Sequence, residues 1–321
     1  MRILITGATG YLGAILTKHL YAQGHETIAW CRSLPEERRL LLSAFTTQTI
    51  VGDILDENAM ELAKQSKPNV VIHLVSLDHK NSERDIKRAS DTNVFATWKI
   101  LDEFKEINLS KFIYFSTIQV LGNLGSAIVD ESFPASPQNV YGLTHHMGEG
   151  LMNFYRSKVS WLPIILRLAN GYGSPVFKSN NCWWLVVNDL CRMAISEKRI
   201  VLQSDGSPQR DFIHVSDIAR AVTTIIKTPN PSFSTNLIQV ASSNTISILE
   251  LAITIKTCYS QRFEIDLPII TPNGPIEHSK SRIPELKKYQ ISTTALAQIG
   301  SLPTMSLEQG INELFDYFTA S

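Results

Sequence analysis

Three glycines are the first residues with an evident chemical use. Gly7, Gly10 and Gly13 lie in the run Gly7-Ala-Thr-Gly10-Tyr11-Leu12-Gly13, which directly follows the apolar stretch Arg2-Ile-Leu-Ile-Thr6 and opens a helical pattern over 11 to 23. A strand that turns sharply into a helix needs backbone angles that glycine tolerates, and the helix start offers unpaired N–H groups to an anion. Without side chains in the way, a pyrophosphate can approach the main chain closely. The turn therefore predicts a dinucleotide site, the alternative being a flexible loop.

Which dinucleotide depends on the end of the next strand. An acidic residue about twenty positions beyond the turn would hold the ribose hydroxyls of NAD, whereas an Arg suits the extra phosphate of NADP. Here the strand over 26 to 31 runs into Arg32-Ser33 with no acid, so the reading leans to NADP, with NAD as the alternative. Gly52-Asp53-Ile54 closes the third strand, where Asp53 is placed either to accept from the adenine amino group or to cap the following helix.

These residues need a frame. The N-terminal half alternates short β-branched runs, near 2 to 6, 26 to 31, 47 to 51, 70 to 74, 111 to 116 and 162 to 168, with longer amphipathic stretches. The helical patterns lie near 11 to 23, 57 to 65, 89 to 107 and 141 to 158, with Gly24 as a left-handed stop for the first. Such alternation predicts an α/β fold, a Rossmann-type doubly wound parallel sheet. After Gly173-Ser174-Pro175 the regularity ends, which predicts a dinucleotide-binding domain over 1 to 175 and a smaller C-terminal α+β substrate lobe over 176 to 321. Strand-like segments in the interval 209 to 241 imply that the chain crosses back to the first domain.

Composition excludes several classes. Thirty basic and thirty acidic residues in 321 give no net charge, hence no footprint for nucleic acid or an acidic membrane. Cys31, Cys182, Cys191 and Cys258 lack metal or disulfide spacing, which suits free thiols in a reducing compartment, and the histidines form no metal cluster. Met1 to Leu16 is too broken by Thr6, Gly7, Thr9, Gly10 and Gly13 to be a signal peptide, and no run reaches bilayer length, so a cytoplasmic location is expected.

Further motifs occur in a particular order: Val71-Ile-His-Leu-Val75; Asn93-Val94 with Thr97; Phe112-Ile-Tyr-Phe-Ser-Thr117 leading to Val120-Leu-Gly122; Tyr141-Gly-Leu-Thr-His145 with Glu149; Leu166-Arg-Leu-Ala-Asn170-Gly-Tyr-Gly173; and Gln209-Arg-Asp-Phe-Ile-His-Val-Ser-Asp217. With the glycine turn, this series resembles the extended short-chain dehydrogenase/reductase family, of the NAD-dependent epimerase/dehydratase type, along nearly the full chain.

The resemblance implies an NAD(P)-dependent enzyme acting on a nucleotide-linked sugar, and commonly a homodimer built through two helices. It matches Tyr141 to the family's catalytic acid or base and Thr117 to the partner of the reacting oxygen. Asn170 and Arg210 match contacts to the substrate diphosphate, a role that a guanidinium fork suits, unless Arg210 merely pairs with Asp211. The resemblance also assigns Tyr11, Leu12, Asp53, Ile54 and Leu74 to the cofactor, Ser76 to the substrate, and Asn93 to steadying the backbone. Trp183 and Trp184 are read as lobe packing or as a platform for a base, and His214 as a core residue.

Two departures matter. The family's Lys, one helical turn after the Tyr, is His145 here. A Lys charge about 6 Å from the phenol, at an effective dielectric near 20, favours phenolate by roughly 3 kcal/mol, or about two pKa units. His145 can reproduce the hydrogen bond to the cofactor ribose, but an imidazole is largely neutral at cytoplasmic pH and loses the electrostatic help, unless the oxidised nicotinamide's own charge, a protonated His145 or the neighbouring His146 activates Tyr141. The second departure is Thr117-Ile118-Gln119, where the family's dehydratases carry acids, which argues against a 4,6-dehydratase. An epimerase or keto-sugar reductase follows. Its rivals are a catalytically silent NAD(P)-binding scaffold or sensor, and a reductase of a non-nucleotide carbonyl compound.

Overall fold

Ile3, Leu4 and Ile5 are all fully buried because the strand they form is covered on both faces. That strand is the centre of a computed structural model that describes residues 1–276 and 288–320. In chain order the elements are β1 Arg2–Thr6, α1 Tyr11–Ala22, β2 Glu26–Cys31, α2 Glu36–Ser43, β3 Gln48–Val51, α3 Glu57–Gln65 and β4 Val70–His73. Next come α4 His79–Arg84, α5 Ile86–Ala89, a π-helical turn Ser90–Phe95, α6 Ala96–Glu103, β5 Lys111–Thr117, β6 Ile128–Val129, α7 Val140–Tyr155, β7 Leu162–Leu168 and β8 Asn170–Tyr172. The remainder comprises α8 Val186–Glu197, β9 Ile200–Val201, β10 Gln209–His214, α9 Val215–Lys227, β11 Leu237–Val240, β12 Thr245–Ser247, α10 Ile248–Phe263, β13 Ile269–Thr271, β14 Gly274–Pro275, β15 Gln290–Ile291, α11 Thr294–Gln298 and α12 Leu307–Thr319.

Seven strands form one parallel sheet in the order β11-β7-β5-β4-β1-β2-β3. The order reverses between β1 and β4, which opens a crevice at the carboxyl ends of the strands. Alternate residues serve opposite faces: Ile3 and Ile5 pack in one core cluster with Leu16 of α1 and Ile218 of α9, and Leu4 packs in another with Met60 and Ile100. Each such buried side chain stabilises the fold by roughly 1.5–3 kcal/mol. A third cluster joins α8, α10 and α12 through Leu190, Ile255 and Phe315. β11 adds to the main sheet beside β7, whereas β10 lies between β12 and β8 in a three-stranded sheet. No described helix is long and apolar enough to cross a membrane.

Most expected elements recur within two residues of their bounds. The helix expected over 89–107 is instead split into α5, the π-helical turn and α6. Two helices of the N-terminal half had no sequence signal. α2 buries only Leu42, and α4, His79-Lys-Asn-Ser-Glu-Arg84, contains no apolar residue, so neither carries a hydrophobic stripe.

Candidate active site

The glycine turn begins where β1 ends. Gly7 has φ +69°, a conformation that disfavours side chains, and a Cβ there would stand 3.4 Å from the Leu74 backbone just past β4. A Cβ at Gly13 would overlap the Gly7 carbonyl oxygen, so the helix packs as closely on the turn as glycine permits. The start of α1, at Gly10, has no side-chain cap, and the first bond into the helix runs from Ala14 N–H to Gly10 O. The Tyr11, Leu12 and Gly13 amides are left for an anion, and this donor set fits a pyrophosphate.

Around the turn, Ile54 is buried in the core and Leu74 N–H donates to Thr6 Oγ1 at 3.2 Å. Arg32 is exposed just past β2. Asp53 Oδ1 accepts from Leu55 N–H at 3.0 Å, and it is Asp56, not Asp53, that caps α3.

The opposite wall is built from the end of β5 and the start of α7. Thr117 is the last residue of β5, with Oγ1 accepting from Gln119 N–H at 3.2 Å. Asn139 caps α7, its Oδ1 accepting from Gly142 N–H at 2.7 Å, and its Nδ2 donates to Gln119 Oε1 at 3.0 Å. A Cβ at Gly142 would come 2.5 Å from the Gln119 carbonyl oxygen, so this glycine lets α7 approach the Thr117 segment. Tyr141 and Thr117 consequently line one cavity of about 370 Å³ with Tyr11, Leu12 and Asn170. Ser76 hydrogen-bonds the Tyr141 phenol, whose pKa burial pushes up to about 12, with the Asp78 carboxylate adding to the rise and Ser76 opposing it.

A second cavity of about 830 Å³ shares Gln119, Asn170 and Trp184 with the first and is also lined by Asp78, His79 and Arg210. Arg210 is exposed there and does not pair with Asp211. Asp211 is fully buried instead, accepts from Ser242 N–H at 2.8 Å, and has a pKa pushed up to about 6 by burial. Asn170 Nδ2 donates to the Asp211 carbonyl at 2.9 Å. The two tryptophans part: Trp183 packs 5.2 Å from the Phe318 ring, and Trp184 faces both cavities. His214 is a buried cap of α9.

Residues 3–241 match the NAD dependent epimerase/dehydratase family. The protein belongs to this family. Among its relatives, the dTDP-L-rhamnose 4-epimerase of Burkholderia thailandensis is 25% identical, over 98% of this chain and 93% of its own. The human dTDP-D-glucose 4,6-dehydratase is 21% identical, over 99% and 89%. The fold is shared with the UDP-glucuronic acid 4-epimerase from Bacillus cereus, solved with UDP-glucuronic acid and NAD, at a TM-score of 0.79, 23% identity and coverage of 100% and 99%.

Two ideas about activating Tyr141 are corrected by this family member's geometry. His145 is buried, and burial pushes its pKa down to about 4, with the Tyr141 carbonyl and Glu149 only partly opposing, so it is neutral near pH 7 rather than protonated. His146 is exposed, with its Nδ1 3.5 Å from Glu149 Oε2, and makes no contact with the phenol.

The sequence reading also missed a buried ion pair beneath the site. Arg167 of β7 donates from Nε and Nη2 to Glu149 of α7 at 2.8 Å each, and Ser116 Oγ donates to Glu149 Oε1 at 2.7 Å. An Arg inside an otherwise apolar strand was the available signal, because a buried charge requires a partner. Asn93 links the same region: its Oδ1 accepts from Leu77 N–H at 2.7 Å and its Nδ2 donates to Thr144 Oγ1 at 2.9 Å.

Proposed function

We propose that the protein is an NAD-dependent epimerase of a nucleotide-linked sugar. The observation that carries the reading is the placement of Tyr141 and Thr117 on one wall of a cavity floored by the uncapped start of α1, with Asn170 and Arg210 on the continuation of that cavity. Full-length similarity to enzymes named for nucleotide-linked sugars supports the substrate class.

In this reading Gly7, Gly10, Tyr11, Leu12 and Gly13 hold the dinucleotide's phosphates, Asp53, Ile54 and Leu74 its adenosine side and Tyr141 and His145 its nicotinamide side. Bound there, the nicotinamide supplies a hydride acceptor and donor at one ring carbon. Tyr141 takes the proton from the hydroxyl on that carbon and returns it, while Thr117 and Ser76 hold the same oxygen. Asn170 and Arg210 hold the diphosphate. Ile118 and Gln119 provide no carboxylate, so nothing there removes and donates protons across a second carbon, which favours epimerisation over elimination of water. NAD is preferred to NADP because the family is named for it and the B. cereus neighbour contains it.

Residues 1 to 175, with the return over 209 to 241, would hold the cofactor and the rest the sugar nucleotide; 277–287 and 321 lie outside the described residues. A homodimer is supported by exposed apolar side chains on neighbouring helical segments, Phe95 and Trp98 on one and Leu143, Met147 and Phe154 on α7.

A second reading, a silent dinucleotide-binding protein, is favoured by one observation, the neutral His145. Incubation with UDP- and dTDP-hexoses, followed by proton NMR, separates the two. The epimerase reading expects one sugar nucleotide to become its isomer without consumption of NAD, and Tyr141→Phe to slow this by about 10²–10⁴-fold. Net oxidation of added NADH would indicate a reductase, and no conversion across the panel with NAD bound would favour the silent protein.

A further inference from the structure

The segment from Phe177 to Cys182 leads from β8 toward α8, yet it folds back across the outside of the glycine turn. Asn180 Nδ2 donates to the Thr9 carbonyl oxygen at 3.0 Å, and Arg38 Nη1 from α2 donates to the same oxygen at 3.1 Å. Arg38 also donates to Ser179, from Nε to Oγ at 3.0 Å and from Nη2 to the carbonyl at 3.1 Å, with its guanidinium 5.4 Å above the Phe177 ring. On the other side of the Thr9-Gly10 peptide, Gly10 N–H donates to Gly7 O at 2.9 Å. The peptide that starts α1 is therefore held at both its carbonyl and its N–H.

The same segment spans from α2 to the catalytic cavity. Ser179 meets Arg38 of α2, and Asn181 and Cys182 line the cavity of Tyr11, Leu12 and Tyr141. Asn180 is only 5% exposed and its Oδ1 has no partner, an acceptor that costs free energy unless a donor arrives.

We propose that Arg38 and Asn180 are positioning residues for the cofactor turn and that segment 177–182, which they anchor, is a strap retaining the dinucleotide between turnovers. This rests on the NAD-dependent reading and deepens it. An enzyme that consumes a reduced cofactor must release it every cycle, so a closed strap would slow it, whereas an epimerase leaves the cofactor unchanged and gains from keeping it.

The test uses the full chain loaded with NADH, chased with excess NAD and followed by nicotinamide fluorescence. Loss of one charge-assisted hydrogen-bond set predicts dissociation about ten-fold faster in Arg38→Met and Asn180→Ala, with unfolding midpoints near wild type and partial rescue in Arg38→Lys. Dissociation within two-fold of wild type in both variants overturns the strap while leaving the NAD reading intact. A wild-type protein that takes up no dinucleotide overturns both. Should a variant fail to fold, hydrogen exchange of 177–182 in the wild type decides: slowing on addition of NAD is expected, and no change overturns the proposal.

Discussion

The His145 imidazole lies 4.2 Å, centroid to centroid, from the Tyr141 ring, and its Nδ1–H donates to Tyr141's own carbonyl oxygen at 2.8 Å. A carbonyl only accepts, so Nδ1 carries the proton and Nε2 is the acceptor in the neutral ring. The side chain nearest the phenol on α7 thus offers a lone pair where the family's Lys offers a permanent charge. Burial of both rings works in one direction, keeping the imidazole uncharged and the phenol protonated.

His145→Lys should therefore raise turnover near pH 7 and move the acid limb of the pH–rate profile down. A cation about 6 Å from the phenol is worth up to about two pH units at an effective dielectric near 20. Steady-state rates from pH 5 to 9 check this. A folded variant with an unmoved profile would show that Tyr141 is activated otherwise.

Glu149 should matter for stability more than for binding. Its two oxygens take both hydrogen-bonded arms of Arg167, and both side chains are nearly inaccessible. Glu149→Gln leaves a buried guanidinium charge uncompensated, which costs about 3–5 kcal/mol. Denaturant unfolding is the measurement, and Glu149→Gln with Arg167→Met should recover part of the loss. A midpoint equal to wild type in the single variant would mean that the pair is solvated.

Stability should fall as pH drops from about 6.5 to about 4. His73, held between Thr6 and Thr97, and His145 have folded pKa values pushed down by burial to about 3 and about 4, whereas the unfolded residues protonate near 6.5. In that window the unfolded chain binds more protons, and each histidine removes up to about 1.4 kcal/mol per pH unit. Asp211 has the opposite sign, because its folded pKa near 6 exceeds the unfolded value, and it offsets about one histidine below pH 6. Urea midpoints at pH 7 and pH 5 test the balance. His145→Gln should flatten the slope, and equal or greater stability at pH 5 in the wild type would contradict it.

The central strands were legible because apolar runs mark them: β1 and β2 have the bounds read from the sequence, 2 to 6 and 26 to 31, and the glycines mark the turn by necessity of backbone angle and approach. Tyr141 and Thr117 were legible only through the order of motifs, since nothing in their local sequence brings β5 against α7. That approach depends on Gly142 and Asn139, whose roles appear only in three dimensions. Arg38 escaped notice because α2 carries no hydrophobic stripe to mark it as a helix, and its partners, Thr9 and Ser179, are distant in sequence. The protonation of His145 could not be read from residue type, because burial sets it.

The most direct test is calorimetric titration of dinucleotide-stripped protein with NAD and with NADP, in the wild type and in Gly13→Val, where a side chain would strike the Gly7 carbonyl. Saturable uptake of one NAD per chain, binding of NADP no tighter than NAD, and loss of both in the variant are predicted. Folded wild-type protein that takes up neither dinucleotide would contradict the account.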